Sequence, residues 1–376
     1  MQGRRGAARR RALWAALGIG AALVLVRFLL VESYIVSTPS MAPTFRGDPA
    51  GGDRVLVDRT RFVRAAPPRW GLAVFRGAAG EGPFLKRVVG LPGDEIAIVK
   101  GDVLNHRKVL VKPRALLRRL LVPVYESAAE FGDFAACWCV LDGECRPGAA
   151  GLRLTPGASG EAVFQTRDEV TDGLLDAAGR FQPGEHAVGD VELSVTLRTE
   201  LGCEEVAIGI LDGFDRLIVS LRPAAPARVF LPRRDPLEIA GLGLEPGAER
   251  TLRVSNVDDR LVIVRDGDDL LALDYASNNL DRPGEPEGRR NLVEVRVRGR
   301  AGGVVRRLGL RRDIFYVAAG HHGARPPAGV GADNYYMLGD HSRESRDSRH
   351  FGPVPRSRLI GAPFLVYWPP SRIRLF

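Results

Sequence analysis

Alternating apolar and polar positions dominate the chain after its first thirty residues, and they predict short β-strands. DRVLVDR at 53–59 and EIAIV at 95–99 alternate, whereas GLAVF at 71–75 and FLKRVVG at 84–90 are rich in β-branched and aromatic residues. Gly-Asp, Pro-Gly and Gly-Gly pairs separate these runs, as is typical of turns. The pattern therefore predicts a mainly β protein.

Two segments depart from this alternation. Residues 12–31, ALWAALGIGAALVLVRFLLV, form an apolar run about long enough to cross the hydrocarbon core of a membrane as a helix. Residues 112–126, KPRALLRRLLVPVYE, carry leucines at helical spacing between two prolines. The first segment predicts a transmembrane helix, and the second predicts a linker helix within residues 111–128.

The flanks of the apolar run predict its orientation. Five arginines lie within residues 1–11, and such a basic tail is expected to stay in the cytoplasm while the remainder is exported. A cleaved signal peptide has a similar layout. Because no small-x-small cleavage site follows the run and Glu32, Tyr34 and Ile35 are poor flanks, we favour a retained single-pass anchor over a cleaved peptide.

A second set of strands is predicted within residues 129–290. Residues 206–221 are typical of two strands joined at Asp212-Gly213, and residues 252–275 repeat that pattern around a second Asp-Gly pair. Several short strands with regular turns favour a β-sandwich.

The β runs on either side of this predicted sandwich are expected to form one domain. Neither residues 32–110 nor residues 291–376 contain enough strands for a core of their own. We therefore predict one domain split by the sandwich as an insert.

Composition changes this picture little. The formal net charge of +9 first suggests a nucleic-acid partner. Arginine is spread through every segment, however, and no repeat of aromatic and basic residues occurs. We therefore expect no nucleic-acid partner.

Four cysteines leave two alternatives open. Cys137, Cys139, Cys145 and Cys203 would lie in an exported domain, where disulfides are permitted. Paired C-x-x-C spacing and a nearby histidine are both lacking, so we expect no metal site. Disulfides and buried free thiols both stay possible.

Three segments carry candidate chemistry. Ser40 follows the apolar run within TPSMAPTF, Lys86 interrupts an apolar strand, and residues 338–355 are dense in Gly, Asp, Ser and Arg. Desolvation lowers the pKa of a buried lysine, and a neutral lysine can accept the proton of a serine hydroxyl. A lysine on the sheet surface is the ordinary alternative for Lys86.

Together and in this order, the three segments resemble the bacterial type I signal peptidases, the serine–lysine endopeptidases of family S26. SMAPT at 40–44 is similar to the S-M-x-P-T motif of the family, and KRVVGLPGD at 86–94 is identical to its second motif. The third motif, G-D-N-(S/R)-x-x-S-x-D-S-R, matches at Gly339, Asp340, Ser342, Ser345, Asp347, Ser348 and Arg349.

The resemblance covers about residues 30–105 and 290–370, with two departures. His341 stands where the family usually has Asn, and Gly71-Leu72 stands where it usually has Gly-Asp.

The resemblance implies roles for individual residues. Ser40 would be the nucleophile, Lys86 the general base, and Ser345 the residue that orients Lys86. The Ser40 backbone N–H and the Thr38 hydroxyl would form the oxyanion hole, where the family more often has Ser in place of Thr38. Structural ion pairs are expected from Arg87, Asp347 and Arg349. The walls of the substrate pocket are expected to be Val36, Met41 and Leu85, with core packing as the alternative role for these three.

The resemblance also implies a function, a location and partners. The chain would be a peptide hydrolase that removes signal peptides from exported pre-proteins after small, A-x-A-like residues, without a cofactor. It would be anchored in the bacterial cytoplasmic membrane with its catalytic domain outside. Its partners would be pre-proteins, the lipid bilayer and the secretion machinery.

The insert resembles the laminin-G/concanavalin-like sandwiches found in some extended signal peptidases. Such a sandwich would bind glycan, a partner or calcium through Asp258, Asp259, Asp266 or Asp268, while plain hairpin turns are the alternative reading of these residues. Two other functions stay open: a surface protein that binds through the sandwich, and a specialised S26 processing peptidase.

Overall fold

The chain forms two compact units. The first comprises Met1–Ile98 and Ala318–Phe376, and the second comprises Val99–Val317. The computed structural model describes nine stretches of the chain: residues 14–15, 17–20, 30–78, 81–127, 131–175, 181–223, 225–280, 291–324 and 326–376.

The predicted cytoplasmic tail, residues 1–11, and most of the predicted transmembrane helix, residues 12–31, lie outside the described residues. Residues 14, 15, 17–20 and 30 are helical, and Val31 begins the first strand. No helix within the described stretches is long and apolar enough to cross a membrane. The anchor therefore stays a prediction.

The first half of the chain contains the four β runs predicted from the sequence, and each of them overlaps a strand. A 3-10 helix at Pro39–Met41 also lies in this half. The regular elements are β1 (Val31–Ile35), β2 (Arg54–Asp58), α1 (Arg61–Arg64), β3 (Leu72–Arg76), β4 (Pro83–Gly90) and β5 (Glu95–Val99).

The second unit is built almost entirely of strands. A helix, α2, lies within the predicted linker segment 111–128 and begins after Pro113. The elements are β6 (Asp102–Asn105), β7 (Lys108–Val109), α2 (Arg114–Leu120), β8 (Val122–Glu126), α3 (Phe134–Cys137), β9 (Trp138–Asp142), β10 (Glu144–Arg146), β11 (Leu152–Thr155), β12 (Glu161–Thr166), β13 (Leu174–Leu175), β14 (Phe181–Gln182), β15 (Val191–Thr199), β16 (Cys203–Asp212), β17 (Asp215–Leu221), β18 (Ala227–Phe230), β19 (Leu237–Ile239), β20 (Glu249–Val257), β21 (Arg260–Arg265), β22 (Asp268–Asp274), β23 (Leu292–Gly299) and β24 (Gly303–Arg312).

The chain then returns to the first unit and completes its sheet. The returning elements are β25 (Ala328–Gly329), β26 (Asn334–Leu338), a 3-10 helix (Ser342–Glu344), α4 (Ser348–Phe351), β27 (Val354–Pro355), β28 (Leu359–Trp368) and β29 (Arg374–Leu375).

The sheet of the first unit interleaves the two halves of the sequence. Its order is β1-β2-β28-β3-β4-β26-β27, with β29 on β28, so β28 lies between two strands from the other half. Val55, Val74 and Val366 share one buried cluster across this seam. The predicted split of the first domain into two sequence segments is therefore confirmed.

Two sheets face each other in the second unit. One has the order β10-β11-β24-β15-β20-β21-β22 with β8 on β24, and the other has the order β19-β18-β17-β16-β23-β12-β9. Leu193 and Val195 of β15 belong to the same buried core as Ile208 of β16 and Val295 of β23. One core shared by two sheets defines a β-sandwich.

The boundaries of this unit differ from the predicted insert of residues 129–290. Strands β23 and β24 had been assigned to the catalytic domain, yet β23 pairs with β12 and β16, and β24 pairs with β11 and β15. Alternation along NLVEVRVRG predicts a strand but does not identify its neighbours. Only the pairing in space assigns these two strands to the sandwich.

The predicted hairpins are present in the second unit. Asp266 and Gly267 have φ of 52° and 99° in the turn between β21 and β22, and Asp258 and Asp259 have φ of 54° and 55° between β20 and β21. Two consecutive positive φ values are typical of type I′ turns, which favour Asp, Asn and Gly. The hairpin predicted around Asp212 also forms, with Gly213 and Phe214 as its turn residues.

We predict that Leu193→Ala destabilises the sandwich by about 2–5 kcal/mol, because Leu193 is fully buried and truncation leaves a cavity. Leu201→Ala is the matched control, since Leu201 is 89% exposed and its truncation should change stability by less than about 0.5 kcal/mol. Urea unfolding of the whole chain measures both. Equal losses for the two variants would contradict the assigned core.

Candidate active site

Ser40 and Lys86 meet in the first unit. Ser40 lies in the 3-10 helix that follows β1, and Lys86 lies within β4, where it pairs in register with Ala73 of β3. The Lys86 Nζ donates a hydrogen bond of 2.6 Å to the Ser40 Oγ. Ser40 is 6% exposed and Lys86 is 2% exposed, which confirms the predicted burial of the lysine. The arrangement places an amine directly against a hydroxyl.

Burial controls the protonation of this amine. Desolvation lowers the pKa of Lys86 from 10.5 to about 8, although the carboxylates of Asp347 and Asp340 act in the opposite direction. At pH 7 a group with a pKa of 8 is neutral in about one molecule in ten, against fewer than about one in a thousand for an exposed lysine. Lys86 is therefore able to accept a proton near neutral pH.

Thr38 supplies a second hydroxyl beside Ser40. Its backbone is extended, with φ of −127° and ψ of 150°, and it precedes the 3-10 helix. The Thr38 Oγ1 lies 3.1 Å from the Ser40 Oγ. The side chain of Thr38 is exposed, so its hydroxyl is also accessible to a bound molecule.

Ser345 does not make the expected hydrogen bond to Lys86. Its side chain is buried, and the Ser345 Oγ has no hydrogen-bond partner among the described residues. The Lys86 ammonium is instead directed to Ser40. A Cβ atom at Gly339 would lie only 2.1 Å from the Ser345 Oγ and 2.5 Å from the Ser40 carbonyl oxygen. Glycine at 339 thus lets Ser345 and Ser40 approach the same point.

The predicted ion-pair group divides into two separate pairs. Arg87 binds Asp340 through both carboxylate oxygens, at 2.7 and 2.6 Å, and Arg349 binds Asp347 in the same way, at 2.8 Å for each contact. All four side chains are buried. The motifs predict Arg87 in one group with Asp347 and Arg349, whereas its partner in the structure is Asp340. A buried arginine requires a nearby acid, and Asp340 was already within the third motif.

These pairs fix the loop that follows β26. Asp347 accepts the Gly339 N–H at 3.0 Å, and Arg349 donates to the Ser342 Oγ at 2.5 Å. The His341 backbone N–H donates to the Ser40 carbonyl oxygen at 3.1 Å. Because this last contact uses the backbone, it forms although His341 replaces the usual Asn.

A cavity of about 300 Å³ lies against Ser40 and Lys86. The three residues predicted as pocket walls, Val36, Met41 and Leu85, all line it. Val36 and Met41 also belong to a buried core cluster, and Leu85 packs against that cluster. These residues therefore line the cavity and pack in the core, while their contact with substrate stays a prediction.

The cysteines are free thiols, which leaves the disulfide alternative unrealised in the structure. Within the described stretches, one group of side chains has metal-ligand geometry: Asp102, Asp190 and Asp258 of the second unit. Of these three, only Asp258 is a candidate ligand from the sequence. They are distant along the chain, and no spacing motif connects them.

Comparison with known proteins now adds to this geometry. The family model for signal peptidase, peptidase S26, matches residues 9–140 and 294–368. These segments make up more than half of the chain. The chain therefore belongs to the S26 signal peptidase family.

Individual relatives match over shorter segments. A probable signal peptidase I-2 of Synechocystis sp. is 40% identical over 63 residues, which are 17% of this chain and 29% of that protein. Signal peptidase I U of Bacillus subtilis is 27% identical over 117 residues, which are 31% of this chain and 59% of that protein. The chain thus spans less than two thirds of the length of these relatives.

Solved structures add little. A carbohydrate binding module, CBM66, from Bacillus subtilis is 10% identical with a TM-score of 0.30, and the match covers 46% of this chain and 92% of that one. Similarity at this score carries no argument about fold or ligand.

We predict that Gly339→Ala destabilises the first unit by about 1–3 kcal/mol, because the added methyl group overlaps the Ser345 hydroxyl and the Ser40 carbonyl. Gly329→Ala is the matched control, since a Cβ atom there meets nothing within 4 Å. Thermal unfolding of both variants measures the difference. A Gly339→Ala protein as stable as the control would show that this close approach is unimportant.

Proposed function

We propose that the chain is a membrane-anchored serine endopeptidase that removes signal peptides from exported pre-proteins with a dyad of Ser40 and Lys86. The observation that carries this proposal is the 2.6 Å contact between the Lys86 Nζ and the Ser40 Oγ, together with the lowered pKa of Lys86. A serine hydroxyl is a weak nucleophile and requires an adjacent base. Lys86 is the basic side chain that hydrogen-bonds it.

In the first step, neutral Lys86 accepts the proton of Ser40 as the Ser40 Oγ attacks the scissile carbonyl carbon. Negative charge then develops on the carbonyl oxygen. The Ser40 backbone N–H and the Thr38 hydroxyl stabilise it, a type of contribution that is worth about 10²–10³-fold in rate per donor in other serine proteases. The position of the Thr38 Oγ1, 3.1 Å from the Ser40 Oγ, supports this role.

The Lys86 ammonium then donates its proton to the leaving amine, and the acyl group stays on Ser40. Water, deprotonated by Lys86, attacks this ester and releases the product carboxylate and free Ser40. Ser345 is proposed to orient the Lys86 amine as the dyad changes protonation state. Its unused buried hydroxyl supports this role, since it has hydrogen-bonding capacity to spare.

The substrate is proposed to present a small residue at the cleavage site, as in A-x-A. The cavity of about 300 Å³ has apolar walls at Val36, Met41 and Leu85, which suit a small apolar side chain. The neighbouring Arg87–Asp340 and Arg349–Asp347 pairs are proposed to hold the site rigid without contacting substrate.

We place the catalytic unit outside the bacterial cytoplasmic membrane, attached by a single helix at residues 12–31 with the N-terminus in the cytoplasm. The apolar run and its basic flank support this placement. Substrates carry apolar signal helices in the same bilayer, and tethering both partners raises their effective concentration. The lipid bilayer and the secretion machinery are the corresponding proposed partners.

The sandwich of the second unit is proposed to be of the laminin-G/concanavalin-like kind. Two sheets with one common core support this assignment. Under this proposal the sandwich is an accessory unit, and the hydrolytic chemistry belongs to the first unit.

We predict that Ser40→Ala and Lys86→Ala each abolish cleavage of a labelled A-x-A pre-protein in detergent, because each removes one half of the dyad. Lys108→Ala is the control, since Lys108 is an exposed lysine remote in sequence from the three motifs. Thermal unfolding checks that each variant is folded. Undiminished cleavage by a folded Lys86→Ala protein would reject the dyad.

A folded wild-type chain that cleaves no pre-protein would favour the alternatives. Specific capture of a surface ligand by that inactive chain would support a binding protein, whereas cleavage of another class of exported precursor would support a specialised S26 processing peptidase.

The pH dependence provides a separate prediction. Lys86 acts only when deprotonated, so the cleavage rate should be low at pH 6, rise through about pH 8 and level off by about pH 10. The sign follows from the lowered pKa, since the neutral amine accumulates above it. Initial rates across this range measure the midpoint. A rate that is flat with pH, or a midpoint near that of free lysine, would exclude a desolvated base.

A further inference from the structure

The segment of residues 369–376 packs against the loop of residues 36–46, which carries Ser40 and is named the nucleophile loop below. This segment lies outside the residues that the family model matches, and none of the three motifs includes it. Its strand β29 pairs with β28, an inner strand of the sheet of the first unit, with Arg374 opposite Val366. The segment is therefore fixed to the sheet on one side while its side chains reach the nucleophile loop.

Arg372 binds a buried acid at the base of the nucleophile loop. Its guanidinium donates to both carboxylate oxygens of Asp53, at 2.7 and 3.0 Å, and Asp53 is fully buried. The same carboxylate accepts the Arg46 N–H at 3.0 Å, and the Asp53 carbonyl oxygen accepts the Val36 N–H at 2.9 Å. Asp53 therefore joins the two ends of the loop, and Arg372 supplies the partner that a buried carboxylate requires.

Arg374 contacts the nucleophile loop four residues after Ser40. Its Nη2 donates to the carbonyl oxygen of Thr44. The hydroxyl of Thr44 is held from elsewhere, since it donates to Asp340 and accepts from the Arg87 Nη2 at 3.2 Å. Thr44 is therefore fixed through its backbone by the 369–376 segment and through its side chain by a buried ion pair.

An aromatic pair adds an apolar contact between the segment and the loop. The ring centroids of Phe45 and Phe376 are 4.9 Å apart, and the Arg374 guanidinium lies over both rings, at 5.8 and 5.3 Å from the centroids. Phe45 is fully buried in the same cluster as Met41, and its N–H donates to the Met41 carbonyl oxygen at 2.8 Å. Because Met41 follows Ser40 directly, the support at Phe45 extends to the residue next to the nucleophile.

We propose that Arg372 and Arg374 are positioning residues that hold the nucleophile loop so that the Ser40 Oγ stays against the Lys86 Nζ. This inference rests on the proposed peptidase function. Neither arginine is among the described residues that line the cavity beside Ser40, so both act through the loop rather than by touching substrate. The contact between the Lys86 Nζ and the Ser40 Oγ is 2.6 Å long, and a displacement of about 1 Å at a reacting group can lower the rate about 100-fold.

The two arginines are expected to respond differently to substitution by lysine. At position 372 the planar guanidinium contacts both oxygens of Asp53, and a lysine ammonium does not reproduce that bidentate geometry. At position 374 the contact with the Thr44 carbonyl requires one donor, which a lysine ammonium provides. Lysine should therefore replace Arg374 better than it replaces Arg372.

Cleavage of a labelled A-x-A pre-protein by the whole chain in detergent measures kcat and KM separately. Arg372→Met and Arg374→Met keep an apolar stem and remove the donors, so each should lower kcat at least about tenfold and change KM less than about threefold. Arg374→Lys should restore most of the kcat, whereas Arg372→Lys should stay at least about threefold below the wild type. Thermal unfolding checks that every variant is folded at the assay temperature.

Arg61→Met is the matched control. Arg61 is an exposed arginine of α1 in the same unit, and its side chain has no hydrogen bond or ion pair within the described stretches. Its substitution should leave both kcat and KM unchanged.

Amide hydrogen exchange tests the hold on the loop without any catalysis. In both methionine variants, the amides of Phe45 and Arg46 should exchange at least about tenfold faster than in the wild type, because the loop opens more often once its contacts with the segment are lost. The amides of β5 serve as the internal reference, and Arg61→Met should match the wild type.

The outcomes separate this inference from the proposed function. A folded wild type that cleaves nothing rejects the proposed function, and the positioning role is rejected with it. An active wild type whose two methionine variants keep the kcat of the Arg61→Met control rejects the positioning role alone, and faster loop exchange in those variants would then show a contact that only supports the fold. If the methionine variants do not fold, the lysine variants decide, since equal kcat for Arg372→Lys and Arg374→Lys would overturn the inference.

Discussion

The desolvation of one amine is the constraint on which the first unit depends. Lys86 is 2% exposed in the middle of β4, and burial lowers its pKa to about 8. Such burial is tolerated because the ammonium has a hydrogen-bond acceptor, the Ser40 Oγ at 2.6 Å. The same contact gives the hydroxyl an adjacent base, so one interaction both permits the buried lysine and defines its proposed chemistry.

The surrounding ion pairs fix the position of the loop after β26 relative to strand β4, which carries Lys86. Arg87 follows Lys86 directly in β4 and binds Asp340, which follows Gly339 in the loop after β26. Removing one partner of a buried pair typically costs about 3–5 kcal/mol, since the other charge is left uncompensated. The Arg349–Asp347 pair lies in the same loop, and the His341 backbone ties that loop to Ser40. Strand β4 and the loop are therefore held together by a buried ion pair, and a backbone hydrogen bond joins the loop to Ser40.

The second unit also contains a cluster of charged side chains, but its charges are paired differently from those of the first unit. Its two sheets enclose an apolar core, while polar residues collect at Asp102, Asp190 and Asp258. In the first unit each buried acid beside Lys86 has its own arginine. In the second unit Lys112 contacts both Asp258 and Asp313, so one ammonium is shared by two acids.

The sequence by itself determined the strands, the hairpin turns and the residues of the candidate active site. Alternation, Asp-Gly pairs and motif spacing are local properties, so Ser40, Lys86 and most hairpins were predictable. Tertiary structure alone decided the partner of Arg87, the missing hydrogen bond of Ser345, the assignment of β23 and β24 to the sandwich, and the meeting of Asp102 with Asp190. Each of these joins residues far apart along the chain, and a local pattern shows that a residue needs a partner without showing which partner the fold brings to it.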